Sequence, residues 1–192
     1  PGYAIWIVMA ILLPMAAAAA AGMINGLLVT RVKIQPIVAT LILFIAGRGI
    51  GQVMTNGNLQ VIDDPVLRYI GLGRPLGVPI QVMLMLVVVL VFMWLLRSTV
   101  FGRQLIAVGG NEAAARLCGV AVARVKTLAY VICGALAGLA GLIVVGINSS
   151  SDANQVGLNM ELDAIAAVAV GGTSLAGGRV SIVGTLIGAL IM

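Results

Sequence analysis

Few residues of this sequence could take part in chemistry. None of its 192 residues is histidine, six are aspartate or glutamate, and the cysteines are Cys118 and Cys133. A zinc site or a histidine-based proton relay is therefore excluded, and no serine or cysteine has a visible general base beside it. The two cysteines stand at unrelated positions and are interpreted as small apolar side chains, not as a disulfide framework. We expect a chain that is not an enzyme and binds no cofactor itself.

The charged side chains cluster in one stretch, GGNEAAARLCGVAVARVK, at residues 109–126. Asn111 suits the N-cap of a helix, where its side chain can accept a backbone N–H of the first turn. Glu112 then lies at the positive end of the helix dipole and pairs with Arg116 one turn later. Gly119 suits the left-handed residue that follows a helix. The stretch predicts a helix of about two turns that begins at Glu112 and ends one residue before Gly119.

A helix of this length is not stable alone in water, so something has to hold it. The alanine run at residues 113–115, which includes Ala113 and Ala114, is expected to form a nearly flat face that could enter a groove. Caps at both ends of so short a helix favour a partner protein as the support. An ordinary basic loop beside anionic lipid is the alternative.

The rest of the chain predicts the membrane elements that position this stretch. Hydrophobic residues make up 61% of the chain and charged residues 9%, against about 25% charged residues in soluble domains. A bilayer-spanning helix needs about 20 mostly apolar residues. We predict an all-α fold, a polytopic membrane helical bundle with about six spans or part-spans. They are expected near residues 4–28, 36–54, 78–96, 127–147, 161–172 and 180–192.

The positive charges indicate how the spans are oriented. If the spans alternate, eight of the 11 lysines and arginines share one face, and two lie on the other. Such an excess marks the cytoplasmic side. The net charge of +5 therefore indicates topology and not nucleic-acid binding, and aromatic residues at 4% offer no stacking platform for bases. The eight charges are those of Arg31, Lys33, Arg97, Arg103, Arg116, Arg124, Lys126 and Arg179.

Residues 161–172, ELDAIAAVAVGG, differ from an ordinary span. As a helix they reach only about 18 Å, whereas the hydrocarbon core of a bilayer is about 30 Å thick. We expect a short broken or re-entrant helix, which is typical of transport pathways. A short, tilted span that ends in a glycine-rich turn is the alternative.

Three stretches resemble a known family. GGNEAAARLCGV, followed by a basic turn and a span, resembles the cytoplasmic coupling segment of ABC importer permeases of the ribose/branched-chain amino acid class. Residues 160–179, MELDAIAAVAVGGTSLAGGR, and residues 25–57 are similar to the sugar branch of that family. KIQPIVATLI, AGRG and the DAN…G…ELDAI run are most similar to members that import galactofuranose. Together these stretches cover more than half of the chain.

The resemblance implies a multi-pass permease of the bacterial inner (plasma) membrane. It would pass a monosaccharide such as galactofuranose, ribose or a related pentose or hexose. Its expected partners are a second permease subunit in a homo- or heterodimer, a cytoplasmic ABC ATPase that binds ATP and Mg, a periplasmic sugar-binding protein, and membrane lipid. Residues 1–192 are expected to form one transmembrane permease domain, with 97–126 as its cytoplasmic coupling segment. Family permeases have more spans, so we expect a fragment truncated at both ends.

The resemblance also implies residue roles. The segment that docks on the ATPase is expected to act through Asn111, Glu112, Ala113, Ala114, Arg116 and Gly119. Arg48 lies inside a span, where charge is costly and usually functional; it could donate to a sugar or snorkel to the interface. Polar residues on the outer side could line the entrance, meet the binding protein or be solvated loop residues. The candidates for the translocation pathway or outer gate are Arg48, Asn148, Asp152, Asn154, Glu161 and Asp163.

Three other interpretations remain open. A branched-chain amino acid permease is the closest, because it belongs to the same class. An ion-coupled secondary transporter would be expected to need an intramembrane carboxylate, and Glu161 and Asp163 beside the broken helix are the available ones. A structural or assembly membrane protein would tolerate loss of the pair formed by Glu112 and Arg116.

Overall fold

The computed structural model describes residues 2–62, 64–153, 155–175 and 177–192. In this part of the chain, the helices are α1 (Gly2–Thr30), α2 (Pro36–Thr55), α3 (Pro65–Leu72), α4 (Ile80–Ser98), α5 (Val100–Gly110), α6 (Glu112–Leu117), α7 (Val122–Asn148), α8 (Met160–Val170) and α9 (Ile182–Ile191). A 3-10 turn covers Pro75–Gly77, and two short strands, β1 (Gln60–Val61) and β2 (Ser150–Ser151), pair antiparallel. The predicted all-α class is confirmed.

Four of the described helices are long and apolar enough to cross a membrane, judged by length and composition. They are Val8–Thr30 within α1, Pro36–Thr55, Ile80–Ser98 and Val122–Asn148. Few of the side chains in these helices are buried, as expected for helices that face lipid. Within this part of the chain, the first four predicted spans thus correspond to α1, α2, α4 and α7.

The chain divides into two compact units, and the three boundaries fall within α4, within α7 and between β2 and α8. One unit comprises the chain up to Val82 together with Lys126–Val156, and the other comprises Met83–Val125 with Gly157–Met192. The single transmembrane domain expected over residues 1–192 stays a prediction.

In the first unit, glycines let α1 and α7 pack closely. A Cβ atom on Gly26 would lie 2.9 Å from the Cα of Thr127, and one on Gly134 would overlap the carbonyl oxygen of Ala18. Because contacts move back along α7 as α1 advances, the two helices are antiparallel. The hydroxyls of Thr30 and Thr127, 3.3 Å apart, mark the end at which α1 finishes and α7 starts. This end carries Arg31, Lys33 and Lys126, which the charge count had assigned to one face.

At the opposite end of α7, the segments between the predicted spans contain a short helix and two short strands. Helix α3 begins after Asp64, whose side chain accepts a hydrogen bond from the N–H of Val66 at 2.8 Å. A Cβ atom on Gly146 would lie 2.7 Å from the carbonyl oxygen of Leu67, so α3 contacts the last turns of α7. Strand β1 pairs with β2 through Gln60 and Ser151.

The second unit holds all of the segment expected at 97–126 except Lys126, and the segment contains more helix than the single short one predicted. Helix α5 was not predicted, although Thr99 caps it by accepting a hydrogen bond from the N–H of Gly102 at 3.1 Å. Helix α7 begins at Val122, five residues before the expected start at 127, because Val122 and Val125 are buried against α5 and α6. Segment 97–126 therefore comprises the end of α4, all of α5 and α6, and the start of α7.

Helices α8 and α9 form an antiparallel hairpin. A Cβ atom on Gly171 would lie 2.5 Å from the carbonyl carbon of Gly184, and one on Gly188 would overlap the carbonyl oxygen of Ala167. Helix α8 has 11 residues and reaches about 16 Å. The predicted short helix is thus present, and the chain reverses after it at Gly171 and Gly172. Its predicted re-entrant course in a membrane stays a prediction.

Candidate functional site

The short helix α6 is capped at its start by Asn111. The backbone of Asn111 is extended, with φ −156° and ψ 103°, which ends α5 and starts α6. Its backbone N–H donates to the carbonyl oxygen of Ala107 at 3.1 Å, so it closes α5. Its side-chain Oδ1 accepts a hydrogen bond from the N–H of Ala114 at 3.0 Å, which satisfies a donor in the first turn of α6. The predicted N-cap is confirmed.

Glu112 and Arg116 form the predicted ion pair on the surface of α6. Nη2 of Arg116 lies 3.5 Å from Oε1 of Glu112. The side chains are 44% exposed at Glu112 and 72% exposed at Arg116, so water screens the attraction. The pair therefore contributes little to stability by itself and leaves both charges accessible to another molecule.

The end of α6 has the hydrogen bonds of a Schellman motif. Gly119 lies in the left-handed region at φ +80°, as predicted for the residue that follows the helix. Its N–H donates to the carbonyl of Arg116 at 3.0 Å, and the N–H of Val120 donates to the carbonyl of Ala115 at 3.0 Å. Helix α6 ends at Leu117, one residue before the predicted end at 118. Both ends of this two-turn helix are thus satisfied by local groups.

One face of α6 is buried in the second unit. Ala115 is 5% exposed and belongs to a cluster with Val108, Val122 and Val125. The prediction that residues 113–115 form one flat, accessible face is therefore wrong in one respect. Ala115 is buried, while Ala113 and Ala114 are exposed. Successive helical residues are about 100° apart, so three alanines in a row cannot share one face. The cluster fixes the position of α6 relative to α5 and the start of α7.

The opposite face of α6 carries an apolar side chain that the sequence analysis missed. Leu117 is 89% exposed, which is the largest exposure of any large hydrophobic residue described. It lies one turn after the exposed residues Ala113 and Ala114, and beside Arg116. This i, i+3, i+4 spacing was visible in the sequence. The exposed face of α6 combines an apolar side chain with an accessible ion pair.

Of the candidate pathway residues, three belong to the first unit. The guanidinium of Arg48 lies 4.9 Å from the ring centroid of Phe44, one turn earlier on α2, at cation–π distance. Asn148 is the exposed last residue of α7, and Asp152 is partly buried just after β2. Asn154 lies outside the described residues. The roles of these residues stay predictions.

Two further candidates belong to the second unit. Glu161 and Asp163 are exposed in the first turn of α8, where negative charge suits the helix dipole. Asp163 also lines a cavity of about 390 Å³ with Ala164, Ala167, Ala189 and Met192. Among the described residues, no three His, Cys, Asp or Glu side chains come together to hold a metal ion.

The chain matches known proteins over nearly its whole length. A family model described as branched-chain amino acid transport system / permease component matches residues 2–192. The ribose import permease protein of Escherichia coli (strain K12) is 47% identical over 182 residues, which cover 93% of this chain and 56% of that protein. The galactofuranose transporter permease protein of the same organism is 44% identical over 172 residues, covering 90% of this chain and 50% of that protein.

A more distant relative extends the comparison. The fructose import permease protein of Bifidobacterium longum is 35% identical over 195 residues, covering 100% of this chain and 54% of that protein. The chain spans about half the length of these curated relatives. No solved structure matches it.

Proposed function

This chain belongs to the family of branched-chain amino acid transport system permease components, and from that premise we propose that it is the membrane-spanning part of an ATP-driven sugar importer. Family membership confirms the resemblance predicted from GGNEAAARLCGV and MELDAIAAVAVGGTSLAGGR. Family membership and the four helices of spanning length together identify the chain as part of a multi-pass protein of the inner membrane. The relatives are described as import permeases, which supports a transport component over an enzyme.

The sugar as substrate is supported by the names of the relatives. These proteins are described as permeases for ribose, galactofuranose and fructose, at 47%, 44% and 35% identity. We therefore favour a monosaccharide over a branched-chain amino acid, although the family description carries the latter name. An uptake panel of ribose, galactofuranose, fructose and leucine separates the two substrate classes.

Helix α6 is the observation that carries the proposal. It is a two-turn helix capped at both ends, with one face buried and the other face exposing Leu117 and the pair of Glu112 and Arg116. An exposed leucine in a cytoplasmic segment favours burial in a partner, because burying such a side chain contributes about 1.5–3 kcal/mol. We assign that partner as the ABC ATPase, which would hold ATP and Mg itself and hydrolyse ATP on its own chain.

In the proposed cycle, closure of the ATPase pair on ATP displaces α6, and α5 and α7 move with it because the cluster of Val108, Ala115, Val122 and Val125 joins them. The displacement would switch a pathway formed with a second permease subunit from inward-facing to outward-facing. A periplasmic binding protein would deliver the sugar at that stage, and hydrolysis would reset the system. The chain's own work is to dock, transmit the displacement and line the pathway.

Co-purification tests the proposal. The full-length permease is expressed with the ATPase encoded beside it and isolated as wild type, Leu117→Asp and Arg116→Glu. We expect the wild type to retain the ATPase and both variants to lose at least about tenfold in affinity. Leu117→Asp puts a charge where the leucine would be buried in the partner, and Arg116→Glu reverses the sign of an exposed charge on the docking face. Arg103→Glu is the matched control, because Arg103 is also exposed in this segment but lies outside α6.

Two results would contradict the proposal. If wild-type permease brings down no ATPase and uptake continues without ATP, an ion-coupled transporter would replace it, with Glu161 and Asp163 as the carboxylates to test. If the ATPase binds wild type, Leu117→Asp and Arg116→Glu equally well, docking does not involve α6.

A further inference from the structure

The end of α5 meets the turn between α8 and α9 backbone to backbone at glycine residues. A Cβ atom on Gly109 would lie 3.1 Å from the backbone nitrogen of Gly178, and one on Gly178 would lie 3.1 Å from the Cα of Gly110. A Cβ atom on Gly177 would overlap the carbonyl oxygen of Gly109. The backbones of four glycines meet here, and we call them the glycine contact: Gly109, Gly110, Gly177 and Gly178. A Cβ atom on Gly109, Gly177 or Gly178 would crowd the facing backbone, whereas one on Gly110 would meet its nearest neighbour at an ordinary 3.8 Å.

Gly177 and Gly178 adopt a conformation that side chains rarely allow. Their φ angles are +95° and +82°, in the left-handed region. This backbone path brings the turn against α5. Contact between two backbones is stiff, because no flexible side chain can change rotamer to absorb a displacement.

The turn is also tied firmly to both helices of the hairpin. The hydroxyl of Thr173 lies 3.1 Å from that of Thr185 and accepts a hydrogen bond from the N–H of Ser181 at 3.2 Å. The N–H of Thr173 donates to the carbonyl of Val168 at 3.2 Å, and the N–H of Ser174 donates to the carbonyl of Arg179 at 3.3 Å. These hydrogen bonds join the turn to the end of α8 and the start of α9.

On the other side of the contact, Gly110 directly precedes Asn111, the cap of α6. The buried cluster packs Val108, near the end of α5, together with Ala115 of α6. A continuous path of backbone and packed atoms thus runs from the exposed face of α6 to α8. At its far end α8 carries Glu161 and Asp163.

We propose that the glycine contact transmits displacement of α6 to the α8–α9 hairpin. The proposal rests on the proposed function, since it takes the ATPase as the source of the displacement. It assigns Gly109 and Gly178 as positioning residues that touch neither sugar nor nucleotide. It places the response at the start of α8, beside the cavity that Asp163 and Ala164 line.

A cysteine reporter at Ala164 tests the inference in the full-length permease bound to its ATPase. Cys118 and Cys133 are replaced by alanine, Ala164→Cys is introduced, and labelling by a charged maleimide is timed with and without ATP and vanadate. In the protein that carries only Ala164→Cys and the two cysteine replacements, which we call the reporter background, we expect trapping with ATP and vanadate to change the labelling rate by about tenfold. Gly109→Ala should remove this dependence on nucleotide while the ATPase still co-purifies and hydrolyses ATP.

Gly110→Ala is the matched control. Both glycines are helical, so alanine favours the helix in each case, but a Cβ atom on Gly110 meets its nearest neighbour at 3.8 Å, an ordinary contact. We expect Gly110→Ala to keep the nucleotide-dependent labelling. If Gly109→Ala responds to nucleotide as the background does, the glycine contact transmits nothing and the inference is wrong.

A second pair of variants serves if Gly109→Ala fails to reach the membrane. Gly178→Asn places a Cβ atom against Gly110, and asparagine tolerates the positive φ at this position. Gly172→Asn makes the same substitution at another positive φ, +74°, but its Cβ atom would have no neighbour within 4 Å. The inference is supported if Gly178→Asn loses the nucleotide-dependent change in labelling rate while Gly172→Asn keeps it. Equal changes in the two variants overturn the inference. If the reporter background binds an active ATPase but its labelling rate does not change with nucleotide, the inference is also wrong. If no ATPase binds, the result contradicts the proposed function on which the inference rests.

Discussion

Oδ1 of Asn111 accepts a hydrogen bond from the backbone N–H of Ala114 at 3.0 Å. This bond starts α6 at the point where α5 ends, so Asn111 is both the C-cap of α5 and the N-cap of α6. The exposed face of α6 is presented in the orientation that this bond and the buried cluster around Ala115 allow. The first prediction concerns this bond.

We expect Asn111→Ala to weaken α6, because loss of an N-cap costs about 0.5–2 kcal/mol of helix stability. A fraying α6 would bind the ATPase less well, which co-purification at increasing salt would measure. Asn111→Ser restores a capping oxygen and should recover binding. Equal binding by Asn111→Ala and wild type would show that the partner does not need the preformed helix.

The pair of Glu112 and Arg116 should matter for coupling and not for stability. We expect Glu112→Gln and Arg116→Gln each to change the free energy of unfolding by less than about 1 kcal/mol, because the pair is exposed to solvent. Stability is measured on the protein in detergent, as the temperature at which half of the monodisperse peak in size-exclusion chromatography is lost. Sugar-stimulated ATPase activity should nevertheless fall. A large drop in stability without any change in stimulation would make the pair structural.

The glycines of α7 differ in what they contact, and this difference predicts their tolerance. A Cβ atom on Gly134 would overlap the carbonyl oxygen of Ala18, whereas one on Gly141 meets nothing within 4 Å. We expect Gly134→Ala to destabilise the protein by about 1–3 kcal/mol through overpacking. Gly141→Ala on the same helix should be neutral or stabilising. Equal melting temperatures for the two variants would contradict the close packing of α1 and α7.

Arg48 can be tested for a role in transport by changing its donors while keeping its charge. Lysine in place of Arg48 retains the cation near Phe44 but loses the planar fork of N–H groups. If Arg48 donates to the sugar, we expect the maximal uptake rate of Arg48→Lys to fall by about tenfold. Phe44→Leu, which removes only the cation–π contact, should have a smaller effect. Uptake at the wild-type rate in Arg48→Lys would assign Arg48 to anchoring at the membrane interface.

Local features of α6 were predictable because local residues determine them. The N-cap at Asn111, the pair of Glu112 and Arg116, and the left-handed Gly119 depend on neighbours within about one helical turn. Leu117 was not predicted, although its spacing from Ala113 is visible in the sequence, because the charges of Glu112 and Arg116 dominate the pattern of this stretch. Helix α5 was missed for a similar reason: Arg103 obscured the apolar spacing of Phe101, Leu105 and Val108, which all pack in the cluster.

The amino-acid sequence by itself determined the class of protein, its apolar spans and the family, because composition, run length and motif are properties of the chain. It also determined the caps of α6, which are made by neighbours in sequence. The tertiary structure alone decided that Ala115 is buried while Leu117 is exposed. It also decided that α7 starts at Val122 and that Gly109 meets Gly178. These facts depend on contacts between residues far apart in the chain, and the free energy of such contacts is set by packing that no local pattern contains.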